Sequence, residues 1–182
     1  SSEDLKITFF DFVFEKKEKP EVPQDAFAIM ANESTYAGHD YGTPTSVTAT
    51  ENTVTVSTTA GITPDWYGGF TLTEEAIRDL VELGYIKMQF TFTSDSPYIC
   101  FWTFDAHTEF VLNISEAANV SNGDIYFESG STIVLDLEQM TTFIRDGVGL
   151  RFTFTAGNEW VSYESSEDLK ITFFDFVFEK QS

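Results

Sequence analysis

The chain reads as an all-β protein, a two-sheet β-sandwich of jelly-roll type with one or two short helices. Three observations predict this. About eight short runs of Val, Ile, Thr, Phe and Tyr follow one another at short intervals, with apolar and polar positions alternating. Nineteen phenylalanines supply the interior, and most fall at alternate strand positions. One strand-like stretch, SSEDLKITFFDFVFEK, occurs twice without a single change, at Ser1–Lys16 and at Ser165–Lys180.

In the second copy, Leu169, Ile171 and Phe173 point one way and Lys170 and Thr172 the other. At Phe173–Phe174 the phase slips, and Phe174, Phe176 and Phe178 then share a face. One extra residue there, a β-bulge, places Leu, Ile and every Phe but one on a single core face. So much aromatic surface is not comfortably left in water, so each copy must find a sheet. Identity over sixteen residues speaks against an ancient duplication. Identical tandem modules, deliberate copying of the strand, or a very recent duplication all fit. A single module offers one native slot for the strand. The C-terminal copy, joined to its preceding strand by Tyr163–Asp168, is expected to fill it. The N-terminal copy is expected to pair at an open edge or to cross into another molecule, giving a strand-exchanged homo-oligomer through residues 1–16.

After residues 1–16 comes a linker over 17–24 (KEKPEVPQ), charged and carrying two prolines, and the sandwich module occupies 25–180. Ala26–Ala31 (AFAIMA) reads as a short apolar strand, and Asn32–Thr45 as a loop carrying Tyr36 and Tyr41. Val47–Thr58 alternates Thr and Val around Glu51-Asn52, a hairpin. Gly61–Gly69 is a turn-rich loop holding Trp66 and Tyr67. Phe70–Thr73 is a brief strand leading into a helix over Glu74–Leu83. There Ala76, Ile77, Leu80, Val81 and Leu83 recur at helical spacing, Thr73 caps, and Gly84 closes.

Tyr85–Thr93, Tyr98–Phe104 and Phe110–Ile114 are strands, with a short one at Asp124–Phe127. Thr132–Leu137 runs into one or two helical turns over Glu138–Arg145, and Val148–Thr155 is a strand. Residues 70–94 and 132–156 thus share an order of strand, short helix, glycine and strand, ending in QFTFTS and RFTFTA. This points to two equivalent crossovers between sheets. Phe90, Phe92, Phe152 and Phe154 are expected inward, with Gln89, Thr91, Thr93, Arg151, Thr153 and Thr155 on a solvated outer face.

A net charge of −20 disfavours a nucleic-acid backbone as partner, since nothing here neutralises phosphates. It also disfavours an anionic membrane surface. The single cysteine, Cys100, sits in the apolar run Tyr98–Phe104 and reads as a buried, inert thiol. Low Cys with abundant Thr, Ser and acidic residues matches, by analogy of composition, extracellular proteins of anaerobic bacteria. That analogy sets the expected location outside the cell. No transmembrane run or signal peptide is visible, but the chain opens mid-motif, which leaves room for a signal removed upstream.

Enzymatic signatures are absent: there is no Gly-rich phosphate loop after a strand, no GxSxG and no HExxH. His39 and His107 lie alone in loops, and no tight ExDxE-like triplet marks a glycosidase strand. The chain is therefore read as non-catalytic. Acidic loops at Asp40, Asp65, Asp95, Asp105, Asp124 and Asp146 offer oxygen ligands, so structural calcium is left open, without DxDxDG spacing and with no assigned site. The aromatics divide more sharply. Phe builds strands, whereas Tyr36, Tyr41, Trp66, Tyr67, Trp160 and Tyr163 sit in polar, glycine-bearing loops. Such rings either fold back on the core or stay outside to stack on the apolar faces of pyranoses. Trp102 lies on a strand apolar on both faces, either covered on both sides or offering a platform.

A Phe/Thr-rich sandwich, a Lys/Glu/Pro linker, loop-borne Trp and a final strand LKITFFDFVFE together resemble the jelly-roll carbohydrate-binding modules of gut and rumen cellulolytic bacteria. The resemblance covers Asp25 to Glu179. It implies non-catalytic binding of a plant cell-wall polysaccharide, of β-glucan type, outside the cell and beside a hydrolase domain. Only the aromatic type carries over, onto Trp66, Tyr67, Trp102 and Trp160. The competing expectations are a tandem structural or adhesin module that exchanges its terminal strand without a sugar ligand, and a glycoside hydrolase.

Overall fold

The computed structural model describes residues 18–38, 45–58, 68–102, 109–112, 117–144, 149–161 and 163–182. Among the described residues, twelve strands form two six-stranded antiparallel sheets packed face to face. The strands are β1 (Tyr36–Gly38), β2 (Thr45–Thr50), β3 (Thr53–Thr58), β4 (Gly69–Leu72), β5 (Tyr85–Ser94), β6 (Tyr98–Trp102), β7 (Val111–Leu112), β8 (Asn119–Ser121), β9 (Asp124–Glu128), β10 (Thr132–Asp136), β11 (Leu150–Thr155) and β12 (Leu169–Lys180). The first sheet runs β1-β4-β11-β6-β9-β8 and the second β2-β3-β12-β5-β10-β7. Counting only β3, β4, β5, β6, β9, β10, β11 and β12 as strands one to eight, the central orders are 1-8-3-6 and 2-7-4-5. That is the jelly-roll winding the sequence predicts.

The second copy of the repeated stretch is β12, and it lies mid-sheet between β3 and β5. Its Phe173 is the hub of the interior. Its ring stands edge-on to Phe90, Phe152 and Phe70 at centroid distances of 5.2, 5.5 and 6.2 Å, and parallel to Tyr36 at 6.4 Å. These residues come from β5, β11, β4 and β1, so one side chain ties both sheets together. A buried Phe of this kind contributes on the order of 2–3 kcal/mol through removal from water alone. The first copy lies outside the described residues.

The bulge in β12 falls later than the sequence reading places it. The register against β5 shifts between Phe174 and Val177, with Asp175 at φ 53°. Asp accepts a left-handed backbone at lower cost than a β-branched or aromatic residue, so the kink settles on it rather than on Phe173–Phe174. Leu169, Ile171, Phe173 and Phe176 are buried and Phe178 packs against them, while Phe174 is the one phenylalanine turned to the outer face.

Among the described residues, three helices gather together: α1 (Gln24–Met30), α2 (Glu74–Glu82) and α3 (Leu137–Phe143). α2 packs against both of the others. It forms as predicted, with the Thr73 hydroxyl accepting from the Ala76 N–H at 3.4 Å and Gly84 turning the chain out at φ +89°. α2 carries the chain from β4 in the first sheet to β5 in the second, and α3 carries it back from β10 to β11. The two crossovers seen in the sequence are thus real and opposite in direction. Gly149 enters β11 where a Cβ would lie 1.6 Å from the Leu72 carbonyl oxygen, so no side chain fits there.

Other expectations are corrected. AFAIMA is not a strand but the body of α1: Ala26, Phe27 and Met30 are buried, a spacing that a helix satisfies, and Pro23 precedes its first turn. Residues 32–38 are not open loop. They form a 3₁₀ turn at Glu33–Thr35 and then β1, whose Tyr36 is buried with its hydroxyl donating to the Met30 carbonyl at 3.0 Å. β8 is a further short strand that the sequence reading passed over. Within the linker stretch Lys19 is exposed and pairs with Asp175, while Val22 reaches the core. None of the described helices is long and apolar enough to cross a membrane.

Candidate functional site

The outer face of the first sheet gathers two of the four predicted aromatics. Pairing of β6 with β11 sets Trp102 opposite Arg151 and Cys100 opposite Thr153. The Arg151 guanidinium carbon lies 4.4 Å from the centroid of the Trp102 ring, and the Trp102 indole N–H donates to Thr153 Oγ1 at 2.8 Å. After β11 the chain makes a turn over 156–161, closed by the Ala156 N–H donating to the Val161 carbonyl at 3.0 Å. Asn119 of β8 pins this turn by donating to the Asn158 carbonyl at 2.7 Å. Its Trp160 falls back over the sheet, where the indole N–H donates to Asp124 Oδ2 at 2.7 Å. The Trp160 ring meets Trp102 at 6.2 Å with a 73° interplanar angle, and Tyr126 at 6.4 Å and 90°.

Both indoles are half-buried, and they stand steeply to one another rather than sharing a plane. Each indole nitrogen is held by a protein acceptor, which fixes the ring before any ligand arrives. Beneath them the face is closed. Arg151, Thr153 and Thr155, expected in solvent, are 4%, 0% and 0% exposed, and Cys100 and Tyr126 are buried too. Trp102 lies over Arg151 and bonds Thr153, while the Thr155 hydroxyl donates to the Gly157 carbonyl of the turn at 3.0 Å. This face is therefore covered where the alternation alone predicts solvent. Burial raises the Asp124 carboxyl above its ordinary value, partly offset by the hydrogen bond from Trp160. Burial, with the nearby Asp124 charge second, pushes the Cys100 thiol up, so it stays protonated and unreactive.

Trp66 and Tyr67 lie outside the described residues, as do Tyr41, His39, His107, Asp40, Asp65, Asp105 and Asp146. The carbonyl of Gly68 accepts from the Phe154 N–H of β11 at 2.9 Å. Tyr163 is half-buried against the core, its hydroxyl donating to the Asp95 carbonyl at 3.1 Å. Asp95 itself accepts the Lys170 N–H at 2.9 Å, an anchor for the start of β12. Among the described residues no group of three or more His, Cys, Asp or Glu side chains is placed to hold a metal ion.

A second concavity lies on the outer face of the second sheet, a groove of about 520 Å³ over the β12 bulge. Phe174 and Val177 floor it, and Asn52, Thr53, Gln89 and Lys19 line its sides. The sequence reading did not single it out, although the phase slip that turns Phe174 away from the core was its signal. The fold and the outer face of the first sheet define a jelly-roll sandwich with a paired-indole surface. No protein-family model matches the chain, and neither a curated protein nor a solved structure does.

Proposed function

We propose that the chain is a non-catalytic carbohydrate-binding module for a plant cell-wall polysaccharide of β-glucan type, acting outside the cell. The observation that carries this is the convergence of Trp102 and Trp160 on one sheet face, both held in fixed orientation by Thr153 and Asp124. Rings positioned in advance stack on pyranose faces without losing rotamer freedom on binding, and Asn119 and Asp124 stand close by as polar groups. Trp66 and Tyr67 belong to the same proposal as further stacking residues.

Affinity electrophoresis on xyloglucan, mannan, barley glucan and pectin tests it. Retardation on at least one polymer is expected, with loss of at least tenfold in affinity for Trp160→Ala and a comparable loss for Trp66→Ala. Migration unchanged on every polymer sinks the proposal, and release of reducing sugar would replace it with a hydrolase. A second reading is a structural module of a tandem array, in which neighbours exchange the terminal strand and no sugar is bound. The unaltered repeat of the β12 sequence at residues 1–16 is what favours it.

A further inference from the structure

The terminal strand is written twice while the sandwich holds one slot for it, and the geometry around Lys180 bears on whether the first copy could reach that slot. β12 ends at Lys180, whose ammonium lies 3.8 Å from Asp25 Oδ2, and the Gln181 N–H donates to the Gly84 carbonyl at 3.3 Å. Tyr85, the sheet partner of Lys180, donates its hydroxyl to Asp25 Oδ1 at 2.7 Å. The last residue of β12 therefore sits beside the first turn of α1. With both side chains extended, the Lys180 and Asp25 backbones are no more than about 14 Å apart.

Lys16 is the counterpart of Lys180 in the first copy, and it precedes Asp25 by nine residues. Nine residues of extended chain span about 30 Å. The N-terminal copy can therefore lie in the β12 slot with Lys16 where Lys180 now stands, while its own linker still reaches α1 of the same molecule. The residues that hold β12 recur in the first copy: Leu5, Ile7, Phe9 and Phe12 correspond in sequence to the buried Leu169, Ile171, Phe173 and Phe176, and Asp11 to Asp175 of the bulge.

We propose that residues 1–16 are an alternative terminal strand for their own module, entering between β3 and β5 in place of residues 165–180, so that the fold exists in two connectivities with one set of core contacts. This departs from the expectation of an open edge or a second molecule as the home of the first copy. The tethers favour exchange within the chain. A tether this short gives an effective concentration well above that of any second molecule at micromolar protein, provided it spans the two sites. Seven residues separate Lys16 from Gln24 and thirteen separate Thr155 from Leu169, which alters closure probability only about 2.5-fold. Tyr163, packed on the core just before the C-terminal copy, holds that copy as the major occupant.

Three full-length variants decide the matter. Ile171→Asp with Phe173→Asp disables the second copy, Ile7→Asp with Phe9→Asp disables the first, and the third carries all four changes. Near-UV circular dichroism and thermal unfolding, with light scattering at micromolar concentration, are the readouts. Both two-site variants are expected to be monomeric and cooperatively folded, with the first melting a few degrees below the second, and the four-site variant to be unfolded. The proposal is overturned if the Ile171/Phe173 variant is as unfolded as the four-site one, if it folds only as a dimer or larger species, or if the four-site variant still folds.

Discussion

Two strands carry almost the same pentad and meet different fates. Gln89–Thr93 in β5 reads QFTFT, and Arg151–Thr155 in β11 reads RFTFT. Their phenylalanines behave alike, with Phe90, Phe92, Phe152 and Phe154 all within 2% of full burial. The other faces diverge. Gln89 and Thr91 are half-buried and Thr93 is exposed, whereas Arg151, Thr153 and Thr155 are all buried. The second sheet is dressed on its outer side with hydroxyl pairs, Thr55 with Thr172 at 2.9 Å and Thr91 with Thr132 at 2.7 Å. The first sheet is roofed by the 156–161 turn and its Trp160. Alternation of apolar and polar residues therefore identifies the core face of a strand but does not say whether its opposite face is covered, because the cover comes from elsewhere in the chain.

The most severe test of that contrast is truncation at the first position of each pentad. Arg151→Ala removes a buried guanidinium from the face of Trp102 and leaves a space beside that ring, so about 2–3 kcal/mol of stability should be lost. Gln89→Ala, at the matching place in the other sheet, should stay within about 0.5 kcal/mol. Urea unfolding of the two variants gives both numbers. Equal small losses would mean that the roof over β11 carries no stability.

Much of this was legible because it rests on local rules. The β12 core pattern, the Thr73 cap and Gly84 stop of α2, and the paired crossovers all follow from residue spacing within about a dozen positions. α1 was misread since a six-residue apolar run fits strand and helix alike, and only Pro23 and the spacing of Ala26, Phe27 and Met30 decide it. β1 and β8, at three residues each, are too short to show any period. The meeting of Trp102 with Trp160 was not legible at all. It depends on which strands lie side by side, and on a turn that folds back rather than out. Phe174 could have been read, because a bulge that saves the other phenylalanines for the core must turn one away.

At the third position of each pentad the contrast sharpens into a single hydrogen bond. Thr153→Val keeps the shape of the side chain but removes the acceptor of the Trp102 indole N–H, so about 1–2 kcal/mol should be lost. Thr91→Val removes one partner of a half-buried hydroxyl pair on the open sheet, where water replaces it, and the change should be under about 0.5 kcal/mol. Tryptophan fluorescence should shift in the first variant and not in the second. A matching loss at both sites would show that the roof does not exclude water from Thr153.

The smallest effect separates two carboxylates by sign. Asp124, on the roofed face, has its pKa raised from 3.8 by burial, against the opposing hydrogen bond from Trp160. Between the unfolded and folded values the native state then holds a proton that the unfolded chain has released, so stability falls as pH rises through that window and the penalty persists above it. Asp25, by the solvated end of β12, has its pKa lowered, first by the hydrogen bond from Tyr85 and then by the Ala26 N–H. Its contribution is present above pH 3.8 and is lost as pH falls through the folded value. Relative to the parent, Asp124→Asn should therefore gain stability as pH rises from 3.8, keeping an amide oxygen for the indole, whereas Asp25→Asn should lose it over the rise to 3.8. Denaturation midpoints from pH 3 to 7 read both curves, and curves of the same sign would mean that Asp124 stays open to water and the first sheet is not roofed.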